Sequence, residues 1–398
     1  MSRAAAPDPS AAPPQVVFAI THTEPGGLRE IWQDVAHGLR AEGYRTGLVA
    51  LYPRDRELEE ASGEGWHFLR PVAVRKAWAR LGLLWAVIGW LRRTRPDVVI
   101  TGMPLCNVLF ALASTVARTG TRVILSHHTA SSTYQPLLNR IDRWTGCRSC
   151  VVGVISVSNA VEASFAGWPT RYRAKQVTIH NSLPERIERL ADAIAFTRPG
   201  GLSGQGRIIA VGRLSAQKNH PQLIRAMAHL LPARLEIIGA GEDEADLRGL
   251  ITQLGLDERV TLSGQLAREE TLRRVAQADV FVQVSLFEGH SLALIEAARL
   301  GLPLVVSRVD EQVEGITDAQ GQLCGIAVPL GDDRALATAL SSLIEDTEAY
   351  HMWTQRSARL GQMRSSRALI DRYAALMAEH GVLPDGHGRH NPNRKAMA

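Results

Sequence analysis

Apolar positions along the chain fall into two alternating patterns. Short, nearly uninterrupted runs rich in Val, Ile and Leu occupy 16–20, 45–51, 97–101, 122–126 and 151–157. Between them, at 28–42, 78–93 and 105–118, apolar residues recur every three or four positions. The first pattern predicts strands buried on both faces and the second amphipathic helices, so their alternation predicts a parallel sheet covered by helices. The rhythm breaks at Pro169, His180-Asn181-Ser182, Pro184 and the Gly-rich 198–206. It then restarts with strands at 207–211, 235–238, 260–262, 280–284, 303–306 and 325–328. Helices at 221–230, 243–254, 271–276 and 291–300 separate them, and further helices fill 332–380.

The expected architecture is α/β, with two doubly wound Rossmann-like domains in tandem and an interdomain cleft. Such folds take ligands beyond the carboxyl ends of their strands. The boundaries read as a disordered Ala/Pro-rich lead-in (1–15), a first domain (16–180), a linker (181–206), a second domain with the C-terminal helices (207–380) and a flexible tail (381–398).

Length and composition agree with this layout. A chain of 398 residues exceeds the roughly 150 of one ordinary domain, and 45% apolar with 21% charged residues excludes disorder for the bulk. Four cysteines make no disulfide framework, and Cys147-Arg-Ser-Cys150 lacks the second pair a zinc site needs. A reducing, cytoplasmic setting follows. The N-terminal stretch lacks a signal peptide's apolar segment, and the longest apolar run, 81–91, has half the roughly 20 residues of a spanning helix. His380, His387 and His390 in the tail region read as solvated.

Charge changes the picture in one place. Residues 70–148 hold 12 basic residues against two acids, Asp97 and Asp142, although the net charge of the chain is only +5. Such an excess suggests an anionic partner, either a phospholipid surface or a phosphorylated acceptor. No helix-turn-helix, zinc finger or aromatic basic sheet supports nucleic acid. Arg75, Lys76, Arg80, Arg92, Arg93 and Arg95 flank 81–91, so that stretch is either a membrane-surface helix at the inner face of the membrane or a core helix with basic ends.

Four clusters carry chemistry. Gly26-Gly27, between the first strand and helix, is either a tight turn or a backbone cradle for phosphate or sugar. Arg213 and Lys218, five apart after a strand, place two cations where they can clamp a pyrophosphate and offset charge on a departing nucleoside diphosphate. In 285–306, Glu288-Gly289-His290-Ser291-Leu292 forms a loop entering a helix that carries Glu296. Glu288 suits sugar hydroxyls, the loop backbone suits phosphate, and Glu296 either faces the same cleft or is a polar residue on the helix. Finally, the strand 122–126 ends in His127-His128-Thr129. A cleft histidine there suits proton handling or polarisation of an acceptor hydroxyl. Gly239-Ala240-Gly241-Glu242 is no dinucleotide fingerprint, because its acidic continuation repels a pyrophosphate.

The loop Val211-Gly212-Arg213-Leu214-Ser215, Lys218-Asn219, the Glu288/Glu296 pair and Gly301-Leu302-Pro303 together resemble the retaining glycosyltransferases of family 4, which have the GT-B fold. The resemblance spans about 14–380 and is strongest from 207 to 330. It implies that Arg213 and Lys218 hold the donor pyrophosphate, Glu288 the sugar hydroxyls and Glu296 the ribose. Gly289 to Leu292 would give N–H groups to phosphate and sugar, with Ser263-Gly264-Gln265 near the base. Gly26-Gly27 would lie near the phosphates, and His128, rather than His127, aligns with the family's histidine.

On this reading a nucleotide-sugar donor, UDP before GDP on family breadth, gives a hexose with retention to a cell-envelope polysaccharide, lipopolysaccharide or lipid-linked acceptor. No Asp-x-Asp motif is present, so no metal or other cofactor is expected. The rival readings are a sugar-nucleotide 2-epimerase of the same fold and a non-catalytic transferase-like subunit. The four clamp and carboxylate positions are all retained, which argues against the second.

Overall fold

The computed structural model describes residues 15–23, 27–53, 65–71, 79–198, 201–230 and 232–385, with the side chains of 79–81 excepted. Gly26, Arg75, Lys76 and the segments 1–14 and 386–398, with His387 and His390, lie outside the described residues, as does the side chain of Arg80.

Two parallel sheets form the frame. The first holds β1 (Val16–Ile20), β2 (Thr46–Ala50), β3 (Trp66–Phe68), β4 (Val98–Gly102), β5 (Arg122–His127), β6 (Val151–Ser156) and β7 (Gln176–Thr178), in spatial order β3-β2-β1-β4-β5-β6-β7. The second holds β8 (Arg207–Val211), β9 (Arg234–Ile238), β10 (Val260–Leu262), β11 (Val280–Gln283), β12 (Leu304–Ser307) and β13 (Ile326–Val328), in order β10-β9-β8-β11-β12-β13. In each, order reverses beside the first strand, giving a switch point at which loops splay apart. The strands are legible as apolar runs because both sheet faces are covered; β1 and β4 are buried along their whole length.

Helices α1 (Gly27–Ala41), α2 (Ala79–Thr94), α3 (Pro104–Ala117), α4 (Pro136–Thr145), α5 (Asn159–Ala163) and α6 (Thr170–Arg173) follow in the first half. Leu83, Val87, Ile88, Trp90 and Leu91 of α2 are buried with the first sheet, so the apolar run 81–91 serves mainly as core.

Two observations redraw the expected domain boundaries. The segment 181–206 contains a 13-residue helix, α7 (Glu185–Thr197), whose Ile187 and Ala191 pack into the core of the second sheet with Ile209 and Phe281. After α8 (His220–Met227), α9 (Glu244–Gln253), α10 (Arg268–Ala276), α11 (Leu292–Arg299), α12 (Asp310–Gly315), α13 (Asp333–Glu345) and α14 (Thr347–Gln362), the chain crosses back. The last helix, α15 (Ser366–Glu379), seats Leu369, Ile370, Tyr373, Leu376 and Met377 in the core of the first domain, against Phe18 and Trp32. An amphipathic stripe states that a helix is covered, not which sheet covers it. His380, at its end, is half-buried rather than solvated, and burial lowers its pKa.

Candidate active site in the interdomain cleft

The floor of the site is built from the loops after β8, β9 and β10. Gly212 N–H donates to Ile238 O (3.0 Å), Leu214 N–H to Ala240 O (3.1 Å) and Gly239 N–H to Gly264 O (2.9 Å). This packing needs a residue without a side chain at 239, because a Cβ there would stand 1.9 Å from the Gly212 carbonyl oxygen. Lys218 lies against Gly212 with its stem, and its Nζ donates to Glu288 Oε1 at 2.6 Å. Both side chains are largely buried, and the pair joins residues 70 positions apart. Gln283, at the end of β11, donates from Nε2 to the same oxygen (2.8 Å) and accepts from Ser291 Oγ (2.9 Å). The Ser291 hydroxyl in turn caps α11 by accepting from Leu294 N–H. Lys218, Glu288, Gln283 and Ser291 thus form one buried chain. Arg213 stands at the rim, about half exposed, with its Nε 3.5 Å from Glu242 Oε2.

Glu296 sits inside α11 and is 3% exposed. It forms an ion pair with Nη2 of Arg268, at the start of α10, whose Nη1 lies 3.2 Å from Glu30 Oε2 on α1 of the first domain. Burial, the largest effect, raises the Glu296 pKa to about 7; Arg268 opposes it and Glu30 adds to it. One guanidinium therefore connects carboxylates from both domains across the cleft.

From the first domain, His128 projects beside Trp32, edge to face at 6.0 Å between ring centres, and its Nε2 hydrogen-bonds Ser126 Oγ at 3.0 Å. Burial pushes its pKa down to about 4, so the ring is neutral at physiological pH. A neutral ring has one nitrogen to donate and one to accept a hydrogen bond. His127 is the last residue of β5, points the other way and is fully buried, with Nε2 2.7 Å from Tyr172 OH and 3.6 Å from Asp142 Oδ2. Burial pushes His127 down to about 3 and Asp142 up to about 8.

The domains meet where these two sets converge. A Cβ at Gly289 would lie 1.8 Å from the carbonyl oxygen of His128, and one at Gly27 would lie 2.9 Å from Leu292 Cδ1. The Glu288–Leu292 loop therefore rests directly on the His128 strand end and on the start of α1. His290 is buried with neither ring nitrogen hydrogen-bonded. Gly264 follows β10 and bridges to Gly239 at the edge of the floor. Sequence reasoning missed Gln283, Arg268 and Glu30. A glutamine in the apolar strand Val280–Gln283 was a usable signal, whereas nothing local marks Arg268 or Glu30. Among the described residues, no group of three or more His, Cys, Asp or Glu is placed to hold a metal ion.

Two Rossmann-type domains facing each other across a basic and acidic cleft define the class: a protein of GT-B architecture. Models of two families match adjoining parts of the chain, Glycosyltransferase Family 4 over residues 25–184 and Glycosyl transferases group 1 over 197–360. The chain is 29% identical to the lipopolysaccharide core biosynthesis glycosyltransferase LpsE of Rhizobium meliloti, over 53% of this chain and 67% of that protein. It is 32% identical to the N-acetylgalactosamine-N,N'-diacetylbacillosaminyl-diphospho-undecaprenol 4-alpha-N-acetylgalactosaminyltransferase of Campylobacter jejuni, over 35% and 37%. The crystal structure of Anabaena Alr3699/HepE in complex with UDP and glucose superposes with a TM-score of 0.76 at 19% identity, covering 92% of this chain and 99% of that one. The chain belongs to the family 4 glycosyltransferases with the GT-B fold.

Proposed function

We propose that the protein transfers a hexose from a nucleotide sugar, with UDP as the nucleotide, to a cell-envelope polysaccharide, lipopolysaccharide or lipid-linked acceptor, with retention of anomeric configuration. One observation carries this reading: the Lys218–Glu288–Gln283–Ser291 chain is pressed by Gly289 onto the His128 carbonyl, so one cleft holds donor-type and acceptor-type groups. The names of LpsE and the C. jejuni enzyme, and the UDP bound to HepE, support the acceptor class and the nucleotide.

In the proposed reaction the acceptor oxygen bonds to the anomeric carbon on the face from which the diphosphate leaves. The bond from that carbon to the diphosphate oxygen breaks, and the acceptor proton passes to the departing diphosphate. Arg213 and Lys218 offset the charge growing there without a divalent ion, and the backbone of Gly27 and of Gly289 to Leu292 adds N–H groups. Gly26 is assigned to the same phosphate region. Glu288 holds sugar hydroxyls, Glu296 the ribose, and the loop at Gly264 lies beside the base. Neutral His128 hydrogen-bonds the acceptor hydroxyl, and positioning does most of the work. The test is a panel of UDP- and GDP-sugars with EDTA present, following nucleotide release and the product anomer by NMR. Sugar isomerised without acceptor would establish the epimerase instead, and no turnover with any donor would favour a non-catalytic subunit.

A second observation favours attachment to the membrane. Among the described residues no helix is long and apolar enough to cross a bilayer. However, α2, α3 and α4 expose Trp85 (66%), Val116 and Trp144 (54%), with Arg148 stacked 3.9 Å over the Trp144 ring and Arg92, Arg93, Arg118, Arg140 and Arg143 exposed. Of the two acids in 70–148, Asp142 is buried. Amphipathic rings among cations fit an anionic lipid surface, here the cytoplasmic face. Co-sedimentation with anionic vesicles that falls with salt and with Trp85→Ser/Trp144→Ser is expected. Equal recovery in the supernatant with neutral and anionic vesicles would refute it.

A further inference from the structure

The chain passes between the domains twice, after β7 and between α14 and α15, and a cavity of about 560 Å³ lies between the two passages. Its size falls in the range of small-molecule sites. The acidic groups on its wall are already satisfied. Glu314 accepts from Asn159 N–H (2.7 Å) and Ala160 N–H (2.8 Å) and pairs with His180 Nε2 (2.6 Å), while Asp318 Oδ1 accepts from Gln320 N–H and Gln322 N–H.

The basic groups are not. Arg364 and Arg372 both line the cavity, and among the described residues neither side chain has a hydrogen bond or an ion pair. Arg364 is half-buried, and burial lowers its pKa despite the more distant Glu314. Elsewhere the partly buried arginines at cleft and domain contacts are matched: Arg268 with Glu296 and Glu30, Arg299 with Glu188 and Asp192. Behind His180, at 5.2 Å between ring centres, stands buried His290 with both nitrogens unpartnered. A half-enclosed guanidinium that shares its cavity with Glu314 but makes no ion pair to it, with a second arginine on the first two turns of α15 lining the same cavity, is a recognition pattern for a bidentate anion.

We propose that this hinge cavity binds a small phosphorylated metabolite, its phosphate on Arg364 and Arg372 and its polar body against His180 and Asn181. The walls come from both domains, so an occupant bridges them and favours their closed arrangement. Asn181 also donates from Nδ2 to the His290 carbonyl (3.1 Å), two residues beyond Glu288, which links the cavity to the donor loop. By linkage, donor and phosphate raise each other's affinity. This is independent of which sugar is transferred.

The test is calorimetric titration of the full chain with inorganic phosphate and with a hexose 6-phosphate, the donor cleft first being filled with saturating UDP. Expected are saturable one-site binding, a loss of about tenfold or more in Arg364→Gln, a smaller loss in Arg372→Gln and in Arg364→Lys, which keeps the charge without the planar fork, and retention in Lys218→Ala. Hexose 6-phosphate should also lower the donor KM of the wild type and leave that of Arg364→Gln unchanged. Because Arg372 is exposed, its variant reads out even if Arg364→Gln folds poorly. No saturable binding with UDP present would overturn the proposal. So would binding that survives in the Arg364→Gln/Arg372→Gln double variant, or that disappears in Lys218→Ala, which would place the anion in the donor cleft.

Discussion

Replacing Glu296 by glutamine should move stability and nucleotide affinity in opposite directions. Glutamine copies the protonated carboxyl in shape and charge. In the fold the Glu296 carboxyl titrates at about 7 against an ordinary 4.5, because burial outweighs Arg268. Folding therefore takes up a proton between these values, and the wild type loses stability as pH rises from 4.5 to 7. Two and a half units at 1.36 kcal/mol each come to about 3 kcal/mol of strain above pH 7 and none below pH 4.5. Glu296→Gln should thus be more stable than the wild type by up to about 3 kcal/mol at pH 8 and equal to it near pH 4.5, in urea unfolding followed by tryptophan fluorescence. The same change should weaken UDP binding about tenfold or more at pH 8, because hydrogen bonds to an ionised group are worth about 1.5–3 kcal/mol and an amide offers one acceptor in place of two. Wild-type affinity should itself fall as pH drops through 7. A variant that is less stable at pH 8 and binds UDP with wild-type affinity would refute both the strain and the ribose assignment.

Three further outcomes are expected. Lys218→Ala should lower kcat more than it raises donor KM, since charge on the diphosphate grows toward the transition state, and Lys218→Ala/Glu288→Ala should lose less than the sum of the two single changes. Steady-state kinetics decide both. Gly289→Ala, whose Cβ would collide with the His128 carbonyl, should abolish most transfer and enlarge the radius of gyration by small-angle scattering, while UDP binding to the second domain persists. His127→Ala should cost about 3 kcal/mol of stability by emptying a buried aromatic site, whereas His128→Ala should leave stability near wild type and depress turnover; equal effects of the two on both readouts would contradict the divergent placement of the rings.

Much of this molecule was readable from its sequence, for physical reasons that also explain what was not. Strands such as Val98–Gly102 announce themselves because both faces are covered. By contrast, Trp66–Phe68 and Gln176–Thr178 are three-residue edge strands whose partial exposure leaves no apolar run. The second-domain motif residues could be placed because strand-to-loop transitions locate them within a residue or two. Their pairings could not: Lys218 meets Glu288, and Arg268 meets both Glu30 and Glu296, through loop geometry that no local spacing encodes. Histidine is a further instance. Its ordinary pKa suggests proton transfer near neutral pH, and only the surrounding fold, closing over His128, lowers it to about 4.

The return of α15 to the first domain bears on how the chain is made. Its apolar face fills a place against Phe18 and Trp32, so the sheet made earlier of the two cannot finish its core until α15 follows it. Some 190 residues separate β7 from α15, which at about 5–20 residues per second leaves that groove uncovered for about 10–40 s of synthesis. The second domain can fold during this interval, because α7 and α14 already belong to its own core. Synthesis thus runs from the first domain to the second, but completion runs in reverse, and a released chain truncated before residue 366 should hold a folded second domain beside a first domain still open to chaperones.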